Sequence, residues 1–387
     1  MKTSHVLYIV PSANIGGAET FIQHCAKFHR RYIPVFALLR DGVLASWLQN
    51  QSVETHIAPN PPRLRNPLSQ LQGLLWLKRL VIRSEIKLIH SNMAYAALLG
   101  GPLAKLTGLP HIWFQHGPAS GFMDSLAGSL PHQRLLVNSA YTEKTQLLLE
   151  KNIPEILRPR RQISLFPLGV DFDAIAQLET TMDLPKEREK FRTGLCADFK
   201  LPKDTPVAGM VCRLQEWKGV HTFIRAIQLA NKFRPFCGVV WGGSQSANES
   251  DSYKTKLIAM IAAEKIPVLL AGPTAEPLKA LSFIDYIVNA SLQPEPFGLS
   301  IIEGMCMGAW PIVPNEGGPL ETVQRSQIGS LFVPGSAEDL SRKLLDADEL
   351  TSKMSKEHVQ KKSRALFEAK KSIEYLETIY DQETNSR

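Results

Sequence analysis

The chain has 387 residues, 44 Lys and Arg against 37 Asp and Glu for a net charge of +7, and an apolar share of 44%. That length exceeds a comfortable single core and predicts two domains, and the apolar share excludes a disordered chain. The modest basic excess fits an anionic ligand or lipid, but aromatic residues are not interleaved with the basic ones, which argues against a single-strand nucleic-acid groove. Five scattered cysteines with no Cys-x-x-Cys pair indicate neither a disulfide framework nor a zinc site. The first apolar run is too short for a signal-peptide core, and nowhere do about 18 apolar residues run together. A cytoplasmic protein is expected, at most peripheral to the inner face of a membrane.

Val6 to Val10 is a buried strand ending at Pro11, and Asn14, Gly16 and Gly17 lead into a helix from Ala18 to about Arg30. A glycine loop at the C-terminal end of a strand is where open parallel sheets bind ligands, although this one lacks the dinucleotide fingerprint. Strands at Pro34 to Leu39 and Val53 to Ile57 bracket a helix from Ala45 to Gln51. The helix from Leu68 to Ile82 carries a leucine stripe and, near its end, Lys78, Arg79 and Arg83. With Arg63, Arg65 and Trp76 it reads either as core or as a basic amphipathic element able to rest on anionic lipid. A strand ends at Ser91-Asn92, a small-residue helix follows, and the next strand, His111 to Gln115, ends on Gln115-His116-Gly117.

Leu135 to Asn138 is a further strand, with Ser139 as the expected cap of the helix after it. Leu157 to Gln162, with Arg158, Arg160 and Arg161, reads as a solvated basic loop. Phe166-Pro167-Leu168-Gly169-Val170-Asp171 closes the first domain. Charged residues from Asp173 to Lys203 form a helix pair or loop before alternation resumes at Val207 to Cys212. Arg213 and Lys218 then stand around a turn that starts a helix at Val220, and together can hold one diphosphate. Strands at Gly238 to Trp241 and Val268 to Ala271 follow, the second ending on Gly272-Pro273-Thr274.

The stretch from Ala290 to Val323 organises the rest. Pro294 and Pro296 keep Glu295 on a loop, a helix runs from Gly298 to about Met307, and Glu303 lies one turn inside it. The amides of Phe297, Gly298, Leu299 and Ser300 are left free at the helix start, a place for phosphate. Gly317-Gly318 begins a loop to Glu321. The remaining helices read as peripheral, with a terminal helix over Phe367 to Tyr380 and a frayed tail from Asp381 to Arg387.

Glu-Pro-Phe-Gly-Leu-Ser-Ile-Ile-Glu, Gly-Met-Cys-Met-Gly and Gly-Gly-Pro-Leu-Glu-Thr-Val resemble the donor-site signature of the retaining glycosyltransferases of family 4. Arg213-Leu214 with Lys218-Gly219 resembles that family's Gly-Arg-Leu-x-x-x-Lys-Gly, except that Cys212 replaces the glycine. Pro296 likewise stands where much of the family has glycine. The resemblance implies an α/β protein of the GT-B architecture, two Rossmann-like domains with parallel sheets facing across a cleft. The expected limits are residues 1–168 for the acceptor domain and 169–366 for the donor domain, with a helix at about 367–387 returning to the first.

It further implies donor contacts at Gly16, Gly17, Arg213, Lys218, Gly272, Glu295, Phe297, Gly298, Leu299, Ser300 and Glu303. Acceptor contacts fall at Asn14, Asn92, Gln115 and His116, and His116, Arg213, Lys218 and Glu295 are the catalytic candidates, His116 as a group able to hold or relay a proton near neutral pH. The co-substrate would be a UDP- or GDP-sugar, with no cofactor and no metal, because basic residues take the metal's role. A glycan, lipid-linked or small-molecule acceptor is expected, in surface-polysaccharide or glycolipid synthesis. A GT-B nucleotide-sugar epimerase or hydrolase, or a non-catalytic sugar-nucleotide binding protein, would share the same phosphate site.

Overall fold

The computed structural model describes residues 4–11, 14–158, 161–243, 247–351 and 355–385. The chain divides into two compact units, one formed by Met1–Gly169 with Ala369–Arg387 and the other by Val170–Glu368. Both are Rossmann-like α/β units built on an open parallel sheet.

In the first unit the chain runs β1 (Ser4–Val10), α1 (Gly17–Phe28), β2 (Tyr32–Leu38), α2 (Val43–Asn50), β3 (Thr55–Ile57), α3 (Pro67–Arg83) and β4 (Ile86–Asn92). It continues through α4 (Met93–Thr107), β5 (His111–Gln115), α5 (Gly121–Ser129), β6 (Arg134–Val137), α6 (Ala140–Glu150) and β7 (Gln162–Leu165). The sheet order is β3-β2-β1-β4-β5-β6-β7. Val6 to Val10 are wholly buried, as a strand covered by helices on both faces must be. The order reverses between β1 and β4, so the loops that leave those strands part there and open a crevice at their C-terminal ends.

The second unit runs α7 (Phe172–Thr181), α8 (Leu184–Asp198), β8 (Val207–Val211), α9 (Val220–Ala230), β9 (Cys237–Trp241), α10 (Ala247–Glu264), β10 (Val268–Gly272), α11 (Pro277–Ser282) and β11 (Tyr286–Val288). After these come α12 (Leu299–Cys306), β12 (Trp310–Pro314), α13 (Gly317–Ser326), β13 (Ser330–Phe332), α14 (Ala337–Thr351) and α15 (Lys356–Leu366). Its sheet order is β10-β9-β8-β11-β12-β13, with the reversal between β8 and β11. The last helix, α16 (Ala369–Asn385), belongs to the first unit.

Local chemistry explains several boundaries. Ser139 caps α6 by accepting from the Thr142 amide at 3.1 Å, and Asp171 and Asp183 cap α7 and α8 in the same way. Gly108, left-handed at φ 70°, closes α4.

Four readings of the sequence are corrected. Gly317-Gly318 starts the helix α13 rather than a loop. Helix α5 and strand β7 stand where no element was expected: α5 is a nine-residue helix, and β7 a four-residue edge strand with only Ile163 and Leu165 apolar. Arg161 is not solvated, because its side chain is 4% exposed, pairs with Glu150 and donates to the Gly128 carbonyl at 3.2 Å; Arg160 lies outside the described residues. The tail is not frayed through Asn385, since Tyr32 donates to Asp381 at 2.8 Å and Arg134 to Glu383 at 2.7 Å.

Candidate active site

In the second unit the crevice between β8 and β11 brings two loops together. The loop after β8 turns through Glu216–Lys218 and hands over to α9 at Gly219, left-handed at φ 66°. A Cβ on Gly219 would lie 1.9 Å from the Ala290 carbonyl oxygen, so only glycine fits this close approach. One residue pair on, the Leu292 amide donates to the Trp217 carbonyl at 2.7 Å and ties the loops.

That tie places Lys218 Nζ 2.6 Å from Glu295 Oε1. The other oxygen of Glu295 accepts from Ser291 Oγ at 3.1 Å and from the Asn289 side-chain amide. Burial alone would raise the Glu295 carboxyl; Lys218, Asn289 and Ser291 outweigh it and hold the group below the usual carboxylate range. Glu295 is therefore an anion with three of its roughly four acceptor positions filled. Lys218 Nζ also lies over the Trp217 ring, 4.2 Å from its centroid. One of its three donors faces Glu295, and among the described residues no second acceptor takes the others, which leaves them for a further anion.

Cys212 sits within the field of Lys218, Glu295 and Arg213, which places all three around the end of β8. Its thiol, pushed up to about 12 mainly by burial, is neutral at ordinary pH. Arg213 is exposed.

The Glu295 loop rests on glycines. Gly317 and Gly318 leave room where a Cβ would come within 2.7 Å of the Glu295 carbonyl oxygen and 2.3 Å of the Pro296 carbonyl oxygen, and the Gly318 amide donates to Glu295 at 2.8 Å. Gly298 is left-handed at φ 83° and starts α12 with no side-chain cap, so the Leu299 and Ser300 amides stay free for an anion. Phe297 is buried beside it. The carboxyl of Glu303, one turn further, has no hydrogen-bonded or ionic partner among the described residues, and burial pushes it up to about 7. Gly272 ends β10 at φ 80° with open space where a side chain would project.

In the first unit, His116 Nε2 lies 2.6 Å from Asn92 Oδ1, and Asn92 Nδ2 donates to the Ala18 carbonyl at 3.5 Å. These contacts put the proton on Nε2 and leave Nδ1 a buried acceptor with no partner among the described residues. Burial pushes the imidazole down to about 3, so it is neutral rather than a proton carrier near pH 7. Gly16 and Gly17 start α1 and are exposed, as is Asn14. Gln115 turns to Asp124, 3.2 Å away, and so steadies the loop after β5. Met93, directly after Asn92, is left-handed at φ 72°, a strained conformation for a side-chain-bearing residue.

Sequence reasoning missed Asn289, Ser291, Trp217 and Asp124. A polar Asn289-Ala-Ser291 at the end of an apolar strand was the available signal for the first two.

Among the described residues no group of three His, Cys, Asp or Glu side chains converges as a metal site. No helix among them is long and apolar enough to cross a membrane.

Two parallel-sheet units, the second with a cation-carboxylate pair and a bare helix start at its switch point, define the GT-B class of glycosyltransferases. The family model for glycosyl transferases group 1 matches residues 195–364, and that for glycosyltransferase family 4 matches residues 15–173. The chain belongs to the family 4 glycosyltransferases.

Anabaena HepE, solved in complex with UDP, superposes with a TM-score of 0.80 at 20% identity over 98% of this chain and 100% of that one. A glycosyltransferase from Rickettsia africae gives 0.81 at 20% identity over 99% of each chain. The catalytic domain of Arabidopsis thaliana starch synthase IV, bound to ADP and acarbose, gives 0.70 at 16% identity over 100% of each. No curated protein matches the sequence.

Proposed function

We propose that this glycosyltransferase is a retaining, metal-independent hexosyltransferase. It moves a sugar from a UDP- or GDP-sugar to a glycan, lipid-linked or small-molecule acceptor in surface-polysaccharide or glycolipid synthesis, at the cytoplasmic face of the membrane. The observation that carries the donor site is the Lys218–Glu295 pair beside the uncapped start of α12. The bond from the anomeric carbon to the diphosphate oxygen breaks as the acceptor oxygen bonds that carbon, and the acceptor proton leaves with the diphosphate.

Charge grows on the diphosphate in this step. Lys218, Arg213 and the Leu299 and Ser300 amides supply fixed positive charge there, which is the most effective form of transition-state stabilisation. Glu295 fixes the direction of Lys218 and keeps one acceptor position for a donor-sugar hydroxyl. Glu303 accepts from the ribose, and Gly272 leaves room for the base. The acceptor is assigned to Asn14, Asn92, Gln115 and His116, with His116 held in place through Asn92. That neighbours solved with UDP and with UDP-glucose share the fold supports a nucleotide-sugar donor.

Incubation with UDP- and GDP-sugars and a panel of acceptors tests the reading. Transfer with the donor's anomeric configuration kept in the product supports it. Nucleotide release without glycosylated product would point to hydrolysis or epimerisation, and inversion would remove the retaining assignment.

A further inference from the structure

Helix α3 turns one face to the core through Ser69, Gly73, Leu77, Leu80 and Val81. On the opposite face Leu68, Leu71, Leu75 and Ile82 are 64%, 51%, 46% and 69% exposed. At about 100° per residue these four side chains fall within an arc of roughly 60°. Lys78 borders that arc on one side, and Arg79 and Arg83 border it on the other, all exposed. Trp76 is not part of the face; it packs, partly buried, against the core.

The stripe continues into the preceding loop, where Leu64 is 42% exposed between exposed Arg63 and Arg65. This loop is held against the helix, with the Arg63 amide donating to Ser69 Oγ at 2.9 Å and the Asn66 amide to the Arg63 carbonyl at 2.9 Å. From Pro61 to Arg83 there are five cations and no carboxylate.

We infer that this surface docks the first unit onto an anionic lipid surface, with the leucine stripe in the headgroup boundary and the cations on lipid phosphates. An apolar arc bordered by long cationic side chains on both sides matches an interface that is apolar below and negative above. A second copy of the chain fits poorly, because it would set five cations against five. The inference rests on the membrane placement proposed above and deepens it by naming the docking surface and the lipid charge; vesicle binding needs no turnover, so its failure would leave the transferase reading standing.

The test is flotation of the full chain with vesicles of phosphatidylcholine alone and of phosphatidylcholine with phosphatidylglycerol. The chain is expected to float with the anionic vesicles and to detach in high salt. Leu71→Ser with Leu75→Ser, and separately Lys78→Glu with Arg79→Glu, are expected to weaken binding by more than about tenfold, with melting temperature unchanged because all four residues are exposed. Failure to float with anionic vesicles would overturn the inference, as would flotation of either variant equal to that of the unaltered chain. So would a dimer of the unaltered chain that the leucine variant converts to monomer.

Discussion

Lys218 and Glu295, 77 residues apart, meet at 2.6 Å because their loops leave the neighbouring strands β8 and β11, where the strand order of the second unit reverses. The side chains are 11% and 16% exposed, and Glu295 gains two further donors on its second oxygen. The pair is therefore built into the fold.

Replacing Glu295 with Gln turns part of an acceptor into a donor facing Lys218, Asn289 and Ser291. The expected cost is about 1–3 kcal/mol in stability, read from denaturant unfolding. Loss of the fixed Lys218 direction is expected to lower turnover by about a hundredfold or more, while binding of nucleotide diphosphate falls less. Equal losses of binding and turnover would place Glu295 on the diphosphate site alone.

Glu303 gives the site its pH dependence. Its folded value, about 7, lies above the ordinary 4.5, so the folded protein takes up a proton that the unfolded chain releases. Stability from this group is full below 4.5 and is lost as pH rises from 4.5 through about 7. The carboxylate accepts ribose hydroxyls more strongly than the acid does. Nucleotide affinity is therefore expected to rise with pH through about 7, and Glu303→Gln to flatten that profile in calorimetric titrations.

Gly219→Ala is expected to fold poorly. Its Cβ would lie 1.9 Å from the Ala290 carbonyl oxygen in a left-handed backbone, and the tie between the two site loops would open. A loss of about 2 kcal/mol or more is expected. Gly272→Ala, with open space at its Cβ, serves as the control: it carries the backbone cost without the clash.

A buried network holds α16 to the first unit. Glu377 accepts from the Arg30 and Arg31 amides at 2.8 and 2.9 Å and faces His29 Nδ1 at 3.0 Å, while Tyr380 reaches Tyr8 at 2.7 Å. Burial works against the Glu377 carboxylate, but these partners hold it down to about 2. Its stabilisation, on the order of 2–3 kcal/mol, is present above 4.5 and is lost as pH falls from 4.5 towards 2. Glu377→Gln is expected to remove this acid-sensitive part of the unfolding profile.

The parallel sheets were legible because their strands are short, wholly apolar runs between helical patterns, as Val6 to Val10 and Val207 to Val211 illustrate. The loops carrying Arg213, Lys218 and Glu295 were legible because Pro and Gly punctuate them. What contacts Glu295 was not. Asn289 and Ser291 reach it through a turn whose geometry depends on Gly219 and Gly317 meeting backbone far away in sequence. His116 misled in one respect: its place at a strand end was readable, but its neutral state follows from burial against Phe114, with ring centroids 3.8 Å apart. Arg161 failed as a solvated residue because it folds back on Glu150 at the end of α6, and the tail because its partners Arg134 and Tyr32 are remote in the chain.

The central claim is that the second unit binds a nucleotide diphosphate through Lys218. Calorimetric titration with UDP-, GDP- and ADP-sugars, without added metal, measures it most directly on the unaltered chain and on Lys218→Ala. The expected result is saturable binding of one nucleotide class by the unaltered chain, weakened at least about tenfold in the variant, with both proteins melting as folded species. Undiminished binding by folded Lys218→Ala would contradict the claim.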